Sequence, residues 1–250
     1  LAVDGTVALT TNGSGDATVV NDAGLTFAAS TVGDDLTATA TTGNIIDNAT
    51  VTVGGNFAVT AAADDATVNL GTLAVDGTVA LTTNGTNGNV TVVNDAGLAF
   101  AASTVDGTLS ATATTGNITD SGALAILGTS AFTTSANDAT ITLNTATNAF
   151  TGAVTLTTND ADGTDADVII DGGTTALVIA ASTVDGDLTL TSGHASGITD
   201  SGTLTIGGNL SATTDAGNGV VDLGTLAVDG TVALTTNGSG DATVVNDAGL

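Results

Sequence analysis

LAVDGTVALTTNG, residues 1–13, occurs again as residues 73–85 and 226–238, and this repeated stretch decides the fold. The last copy extends further, because residues 226–250 are identical to residues 1–25. The chain therefore completes a repeat of 225 residues and begins another. Such a repeat guides the prediction of architecture better than the chain length does, because repeated segments stack on one another.

The three copies divide the chain into units. We predict unit 1 at residues 1–72, unit 2 at 73–146 and unit 3 at 147–225, and we assign residues 226–250 to the start of the next repeat. The repeat is cut at both ends of the sequence, so we read the chain as a window from a longer protein.

A finer repeat appears when Gly5 is taken as an anchor and the same surrounding pattern is followed along the chain. The anchors are Gly5, Asp34, Gly55, Gly77, Gly107, Gly128, Gly152, Gly186 and Gly208, and the pattern returns at Gly230. Because Gly and Asp both tolerate a left-handed backbone, we predict a left-handed corner at each anchor. The spacings after Gly5, Gly77 and Gly152 are 29, 30 and 34 residues, against 21 to 24 elsewhere. We therefore expect an extra loop or strand on the same side of every third coil.

The residues around the anchors alternate with a period of two. Positions two before and four after each anchor are apolar, and the position two after is apolar everywhere except at Ser130. The position five after each anchor is always Thr. This alternation predicts strands with one buried face. The fold predicted is all-β, a parallel β-helix or β-solenoid of about nine coils per repeat, rising about 43 Å at ~4.8 Å per coil.

Composition excludes several classes of function. The chain has 26 acidic residues, no Lys or Arg and one His, so it offers no basic surface to nucleic acid or anionic lipid. It has no Cys for disulfides or thiolate metal sites. Its longest apolar run, Ala176–Ala181, is far shorter than the ~20 residues of a spanning helix, so we predict no membrane insertion.

Two long runs carry a family resemblance. STVDGDLTLTSGHASGITDSGTLTIGGNLSATT, residues 182–214, and AILGTSAFTTSANDATITLNTATNAFTGAVTLTTN, residues 125–159, resemble the repeats of filamentous-haemagglutinin-type adhesins and related giant bacterial surface proteins. The resemblance implies a right-handed coil, export across the outer membrane and display as a long filament on the bacterial surface.

The densest acidic stretch is NDADGTDAD, residues 159–167. Asp160, Asp162, Asp165 and Asp167 alternate along it and offer hard oxygen ligands to Ca²⁺, so we predict a metal site there. The alternative is a solvated acidic loop, because the order of ligands matches no known calcium motif. We also predict an Asx ladder formed by Asn21, Asp47 and Asn69.

Two further readings concern catalysis and ice. His194 lies between Ser192 and Ser196, but one imidazole in a loop of a chain without Lys or Arg does not indicate an enzyme, and a polysaccharide-active enzyme is disfavoured. The Thr column has the residue type of ice-binding faces, although such a residue is also typical of any solvated strand.

The function predicted is structural, as a segment of an extracellular bacterial filament or adhesin stalk built by stacking coils. Its expected partners are further copies of itself, end to end or side by side, with contact to a cell surface or polysaccharide. No cofactor is required in this reading, and divalent cations such as Ca²⁺ are candidate counterions for 26 carboxylates. The alternative function is a surface module whose cohesion or binding depends on Ca²⁺.

Overall fold

The computed structural model describes residues 1–161, 165–215 and 217–247. In these ranges the chain forms β-strands and no helix, and it follows that none of the described segments is a helix able to cross a bilayer. The strands stack in parallel into a β-solenoid of about 11 turns, which confirms the predicted fold class.

The strands are short, from two to eight residues long. The first nine are β1 (Thr6–Val7), β2 (Ala17–Asn21), β3 (Leu25–Phe27), β4 (Ser30–Val32), β5 (Leu36–Ala40), β6 (Ile45–Asp47), β7 (Val51–Val53), β8 (Phe57–Asp64) and β9 (Val68–Val75). The next ten are β10 (Thr78–Asn84), β11 (Val90–Asn94), β12 (Leu98–Phe100), β13 (Ser103–Val105), β14 (Leu109–Ala113), β15 (Ile118–Asp120), β16 (Leu124–Ile126), β17 (Ser130–Asn137), β18 (Ile141–Leu143) and β19 (Ala149–Phe150). The remainder are β20 (Val154–Asn159), β21 (Val168–Asp171), β22 (Leu177–Ile179), β23 (Ser182–Val184), β24 (Leu188–Ser192), β25 (Ile198–Asp200), β26 (Leu204–Ile206), β27 (Leu210–Thr214), β28 (Val221–Val228), β29 (Val232–Thr235) and β30 (Ala242–Asn246).

The chain crosses between two sheets every half turn. Among the described residues, the first sheet has 16 strands, β1, β3, β4, β6, β7, β9, β11, β14, β17, β20, β22, β23, β25, β26, β28 and β30. The second sheet has 14, β2, β5, β8, β10, β12, β13, β15, β16, β18, β19, β21, β24, β27 and β29. A solenoid of this kind stacks each turn on the one before it, so no turn has to bury its core alone.

The core lies between the two sheets and follows the predicted columns. The apolar positions beside the anchors are fully buried through the middle of the stack, whereas Val7 and Leu9 in the first turn are only partly buried. Phe27 of the first sheet meets Phe57 of the second edge to face, with ring centroids 6.2 Å apart. The Thr five residues after each anchor is partly or fully exposed, as predicted.

The number of coils predicted from the anchors is wrong. Residue Thr6 pairs with Thr26, which pairs with Ile46, whereas the nine-coil register would place Thr6 beside Asp35. The spacings of 29 to 34 residues are therefore one and a half turns rather than one turn with an extra loop. After each of them the anchor column moves to the opposite sheet. The strand that follows the anchor lies in the first sheet at β1, the second at β10, the first at β20 and the second at β29.

The 225-residue repeat therefore contains a half-integral number of turns. β1 and β10 are three and a half turns apart, and seven steps of pairing in the second sheet lead from β10 to β29. Ten and a half turns rise about 50 Å at ~4.8 Å per turn, rather than the 43 Å expected from nine coils. We call each one-and-a-half-turn step a half-turn switch.

The anchors are not left-handed, which corrects a second prediction. Positive φ angles occur instead in the loops that follow the anchored strands, at Gly13, Gly85, Gly238 and Asp65 among others. The anchors are glycine because their backbones stack directly. The N–H of Gly77 donates to the carbonyl of Gly55 at 3.0 Å, and a Cβ on Gly77 would lie 2.4 Å from that oxygen. The remaining anchor, Asp34, begins such a stack, and its N–H donates to the carbonyl of the loop residue Gly15 at 3.3 Å.

Candidate functional site

The predicted metal residues lie in the loop between β20 and β21, and three of the four are described. Asp162 lies outside the described residues. The N–H of Asp160 donates to a carboxylate oxygen of Asp185 at 2.8 Å, and the N–H of Asp165 donates to Asp160 Oδ2 at 3.1 Å. Asp167 Oδ1 accepts from the N–H of Asp187 at 2.8 Å.

These contacts give the loop carboxylates backbone partners. Asp160 and Asp167 accept N–H groups from the loop and from the turn above. Within the described residues, no group of three or more His, Cys, Asp or Glu side chains is arranged to hold a metal ion. The Ca²⁺ site stays a prediction that includes Asp162.

Asp167 is the first member of an Asx ladder. The next member is Asp187, whose Oδ1 accepts from the N–H and side-chain amide of Asn209 at 2.6 and 3.0 Å. Asn209 Oδ1 accepts in turn from the N–H and hydroxyl of Thr231 at 2.9 and 2.7 Å. Each side chain thus caps an amide of the turn above, and it does so at the edge of the coil immediately after the anchor.

The same ladder occurs in the first unit. Asp35 Oδ1 accepts from the N–H of Asn56 at 2.7 Å, and Asn56 Oδ1 accepts from the N–H of Thr78 at 2.9 Å. The ladder predicted from Asn21, Asp47 and Asn69 is wrong, because Asn21 lies in the second sheet and the other two lie in the first. The ladder that the structure contains could have been predicted from the Asp or Asn that directly follows an anchor, as at Asp35, Asn56, Asp187 and Asn209.

Serine side chains cap the segment with which each half-turn switch begins. The N–H of Leu9 donates to Ser30 Oγ at 3.1 Å, and Ser30 Oγ donates to the carbonyl of Ala28 at 2.9 Å. Ser103 and Ser182 make the same pair of bonds with the equivalent residues. Each serine lies at the break between two short strands, where the backbone does not reach the amide below it. The hydroxyl therefore satisfies a buried N–H that the sheet leaves open.

Aspartates support two of the long strands that lead into an anchor, β9 and β28. Asp47 Oδ1 accepts from the N–H of Gly71 at 2.9 Å, and Oδ2 accepts from the N–H of Thr72 at 2.8 Å. Asp200 binds Gly224 and Thr225 in the same way, at 3.0 and 2.7 Å. Two successive amides thus point at one carboxylate, an arrangement that holds negative charge well.

Buried asparagines complete the switch. Asn94 Oδ1 accepts from the N–H of Val75 at 2.9 Å, and its Nδ2 donates to the carbonyls of Val75 and Gly97 at 3.0 and 2.6 Å. Asn21 makes the equivalent bonds with Val3 and Gly24. The serines, aspartates and asparagines of these three paragraphs are called the switch clamps below.

In unit 3 the position of the asparagine is taken by Asp171. Burial raises the pKa of Asp171 above its usual value, and the carboxylates of Asp215 and Asp120 raise it further. The N–H of Gly173, which donates to Asp171 Oδ1 at 2.7 Å, acts in the opposite direction. A carboxylate accepts hydrogen bonds but has no amide group with which to donate to a carbonyl below it.

His194 is exposed and its contacts are local. Its Nδ1 accepts from the N–H of Ser196 at 3.0 Å. The hydroxyl of Ser192 donates to the carbonyl of Thr175 at 3.0 Å and accepts from the N–H of His194 at 3.3 Å. Among the described residues, no serine hydroxyl bonds to the imidazole. A hydrogen bond of that kind is the contact that activates a serine nucleophile.

The outward Thr residues form columns that cross the half-turn switches. In the second sheet, Thr39, Thr60, Thr82 and Thr104 are consecutive members of one column. In the first sheet, the column is Thr112, Thr133, Thr157, Thr183 and Thr205. The column beside the first of these is mixed, with Thr37, Ala58 and Ala80 in succession. One regular Thr column therefore lies beside an irregular one.

Comparison with known proteins yields one match. The model of a family described as repeats of unknown function (DUF5649) matches residues 14–67, 87–157 and 165–224. No curated protein and no solved structure matches the chain. The three matched segments together cover well over half of the chain, and each contains one of the switch-clamp serines Ser30, Ser103 and Ser182. The chain therefore belongs to the family of repeats of unknown function designated DUF5649.

Proposed function

We propose that this chain is a structural segment of a long filament or adhesin stalk on the outside of a bacterial cell. One observation carries the proposal: backbone and side-chain hydrogen bonds join each turn to the turns above and below it. Anchor glycines, Asx ladders and switch clamps all act between consecutive turns. Such a structure grows along one axis by adding turns, which is what a stalk requires.

The bacterial and extracellular parts of the proposal rest on the resemblance of residues 125–159 and 182–214 to haemagglutinin-type adhesins. In this role the chain is not an enzyme and requires no cofactor. Its partners are further copies of itself, and the tip or side of the filament contacts a cell surface or polysaccharide. The absence of Lys and Arg also suits exposure outside the cell, because trypsin-like proteases have no site to cut.

Imaging and labelling test this function. Electron microscopy of the native assembly is expected to show a rod with a ~4.8 Å axial spacing and about 50 Å for each 225-residue repeat. An antibody against the chain should stain intact cells as strongly as permeabilised ones. Staining that requires permeabilisation, or particles without an elongated axis, would contradict the proposal.

A second candidate function is cohesion of filaments through Ca²⁺. The observation in its favour is charge density, since 23 acidic residues in one repeat give roughly one negative charge per 2 Å of the expected rise. Duplex DNA has a similar density and condenses cations. Chelation with EGTA should then disperse bundles, and added Ca²⁺ should restore them. Bundling that is unchanged by EGTA would leave the stalk without this second role.

A further inference from the structure

Two glycines of this chain lie inside strands, where glycine is ordinarily avoided. They are Gly71 of β9 and Gly224 of β28, and every other glycine of the described residues lies between strands. Glycine weakens a strand, because it has no side chain to pack and loses more conformational freedom on folding than other residues do. A glycine at these two positions therefore needs a local reason.

Neither backbone conformation nor crowding explains these glycines. Both have negative or extended φ angles, and beyond the chain neighbours nothing lies within 4 Å of a Cβ added to either. The carboxylate that Gly71 bonds, that of Asp47, does not require glycine above it. In unit 3 the N–H of Asn144 donates to Asp120 Oδ1 at 3.1 Å in the same way. A side chain fits at this position, so the glycines keep a space open.

The space belongs to an open groove of about 270 Å³ at the surface of the first sheet. The ladder between β9 and β11 bulges there, with Gly71 and Thr72 opposite Val93. Leu73, Asp95, Thr50 and Thr114 complete the lining. A second groove of about 270 Å³ lies over Gly224, where β28 and β30 bulge in the same way. The first groove lies well inside the stack, between strands of four consecutive turns.

The first groove has polar groups without a partner in the described part of the chain. Asp95 is exposed, and its hydrogen bonds are those of its backbone, from its N–H to the carbonyl of Leu73 and from the hydroxyl of Thr115 to its carbonyl. The hydroxyls of Thr50 and Thr114 likewise make no bond to a described residue. The carboxylate of Asp95 is therefore available to a ligand.

Charge selects the class of ligand. The chain has 26 acidic residues and no Lys or Arg, so it repels anions and has no cationic side chain of its own to pair with Asp95. Ca²⁺ takes six to eight oxygen ligands, whereas this groove has one carboxylate beside Leu73 and Val93. A primary ammonium on an aliphatic stem suits both parts. Its three donors match one carboxylate and two hydroxyls, and its methylene groups cover the apolar side chains.

We infer that the groove over Gly71 binds a lysine side chain of a basic partner protein. The inference goes beyond the stalk function, because it assigns the chain a partner of opposite charge. The net charge of −26 steers such a partner towards the chain, and the groove fixes where its lysine binds. The groove over Gly224 is seven turns away on the same sheet, about 34 Å along the axis. Two lysines of one partner at that spacing would bind together.

A small probe with one charge tests the site. Nα-acetyl-lysine amide is titrated into the 250-residue chain, and backbone amide shifts are followed by NMR. We expect saturable shifts at Gly71, Val93 and Asp95. The probe acetylated at Nε has the same stem without the charge, and it should give no saturable shift at these residues.

Matched variants locate the binding. Asp95→Asn should weaken it by about 10-fold or more, which is the effect of a charged hydrogen bond. Asp64→Asn removes the same charge from an exposed residue at the end of β8, and it should change the affinity by less than about 2-fold in 0.15 M salt. Gly71→Val should prevent the shifts of Val93 and Asp95, because its side chain fills the groove, and it should not lower the thermal midpoint.

Four results would overturn the inference. They are no saturable shift in the unmodified chain, equal weakening by the two aspartate variants, undiminished binding to the Gly71→Val chain, and equal binding of the acetylated probe. The titration uses single chains in solution. Its outcome is therefore separate from the imaging and cell-staining results on which the stalk function depends.

Discussion

Val20 and Val245 occupy the same place in the 225-residue repeat, yet Val20 lies in the second sheet and Val245 in the first. Both side chains face outward, with 49% and 57% of their surface exposed. Identical sequence thus faces opposite directions after one repeat. The cause is the odd number of half-turn switches in the repeat, since each of the three moves the pattern to the other sheet.

Distances between spin labels should distinguish the half-turn register from the nine-coil register. Labels at positions 39 and 104 lie in one column, three turns apart, and should give a distance of about 14 Å between backbones. Labels at positions 39 and 112 lie on opposite sheets and should give ~20 Å or more, because the core thickness separates them.

The nine-coil register predicts the opposite order of the two distances. It places positions 39 and 112 in one column, three coils apart, and moves position 104 to another part of the coil. A shorter distance for the 39/112 pair than for the 39/104 pair would therefore refute the half-turn switch.

Stacked anchor glycines should not tolerate even one added methyl group. A Cβ on Gly128 would lie 2.5 Å from the carbonyl oxygen of Gly107, so Gly128→Ala should destabilise the chain by about 2–3 kcal/mol. Gly71 is a matched control, because nothing lies within 4 Å of its added Cβ. Gly71→Ala should be neutral or stabilising by up to about 1 kcal/mol. Urea denaturation followed by circular dichroism measures both, and equal midpoints would contradict the stacking argument.

Ser130 is the one polar residue in its core column, and its hydroxyl is buried without a hydrogen-bond partner. Ser130→Ala removes this unsatisfied group and should raise stability by about 1 kcal/mol. Ser103→Ala is the opposite case, because it leaves the N–H of Leu81 without its acceptor and should cost about 1–2 kcal/mol. Thermal midpoints that move in the same direction for both variants would argue against this distinction.

Asp171 should make the folded chain less stable at neutral pH than in mild acid. Its pKa is raised on folding, so the folded state binds its proton more tightly than the unfolded state does. Stability from this group therefore falls as pH rises from the ordinary aspartate value through the raised value. Asp171→Asn removes the titration and restores the side chain found at Asn21 and Asn94.

The Asp171→Asn chain should accordingly have a higher thermal midpoint than the wild-type chain at pH 7, and the difference should shrink as the pH falls below about 4. Asp165→Asn is the control, since Asp165 is an exposed residue of the acidic loop. A difference that grows in acid would show that the ionised form of Asp171 is the stabilising one.

Much of the fold could be predicted from sequence because the pattern of buried residues is local. A strand with one buried face shows its alternation within five residues, so the apolar columns and the outward Thr column were found correctly. The number of turns is not local. It depends on which residue lies above Thr6. The residue one turn later, Thr26, and the residue one and a half turns later, Asp35, both continue a regular apolar and polar alternation. Only the strand pairing distinguishes them.

The polar contacts were harder to predict for a similar reason. Ser30 and Asp47 act on backbone groups 21 and 25 residues away, and a backbone N–H has no sequence signature. Ser30 lies in a polar-looking segment between two short strands and carries no motif of its own. The acidic loop attracted a metal prediction because its carboxylates are close together in sequence. In the structure the N–H of Asp160 donates to the carboxylate of Asp185, and the carboxylate of Asp167 accepts from the N–H of Asp187.

The half-turn switch also sets a rule for changes in repeat number by recombination. Crossing over between the identical stretches at residues 1–13 and 73–85 removes 72 residues, or three and a half turns, and would rotate everything beyond the junction to the opposite side. Crossing over between residues 73–85 and 226–238 removes 153 residues, or seven turns, and would leave the orientation intact. The number of units in an array therefore determines which side of the stalk its later turns face. An array can shorten without reversing its surface only by losing an even number of units.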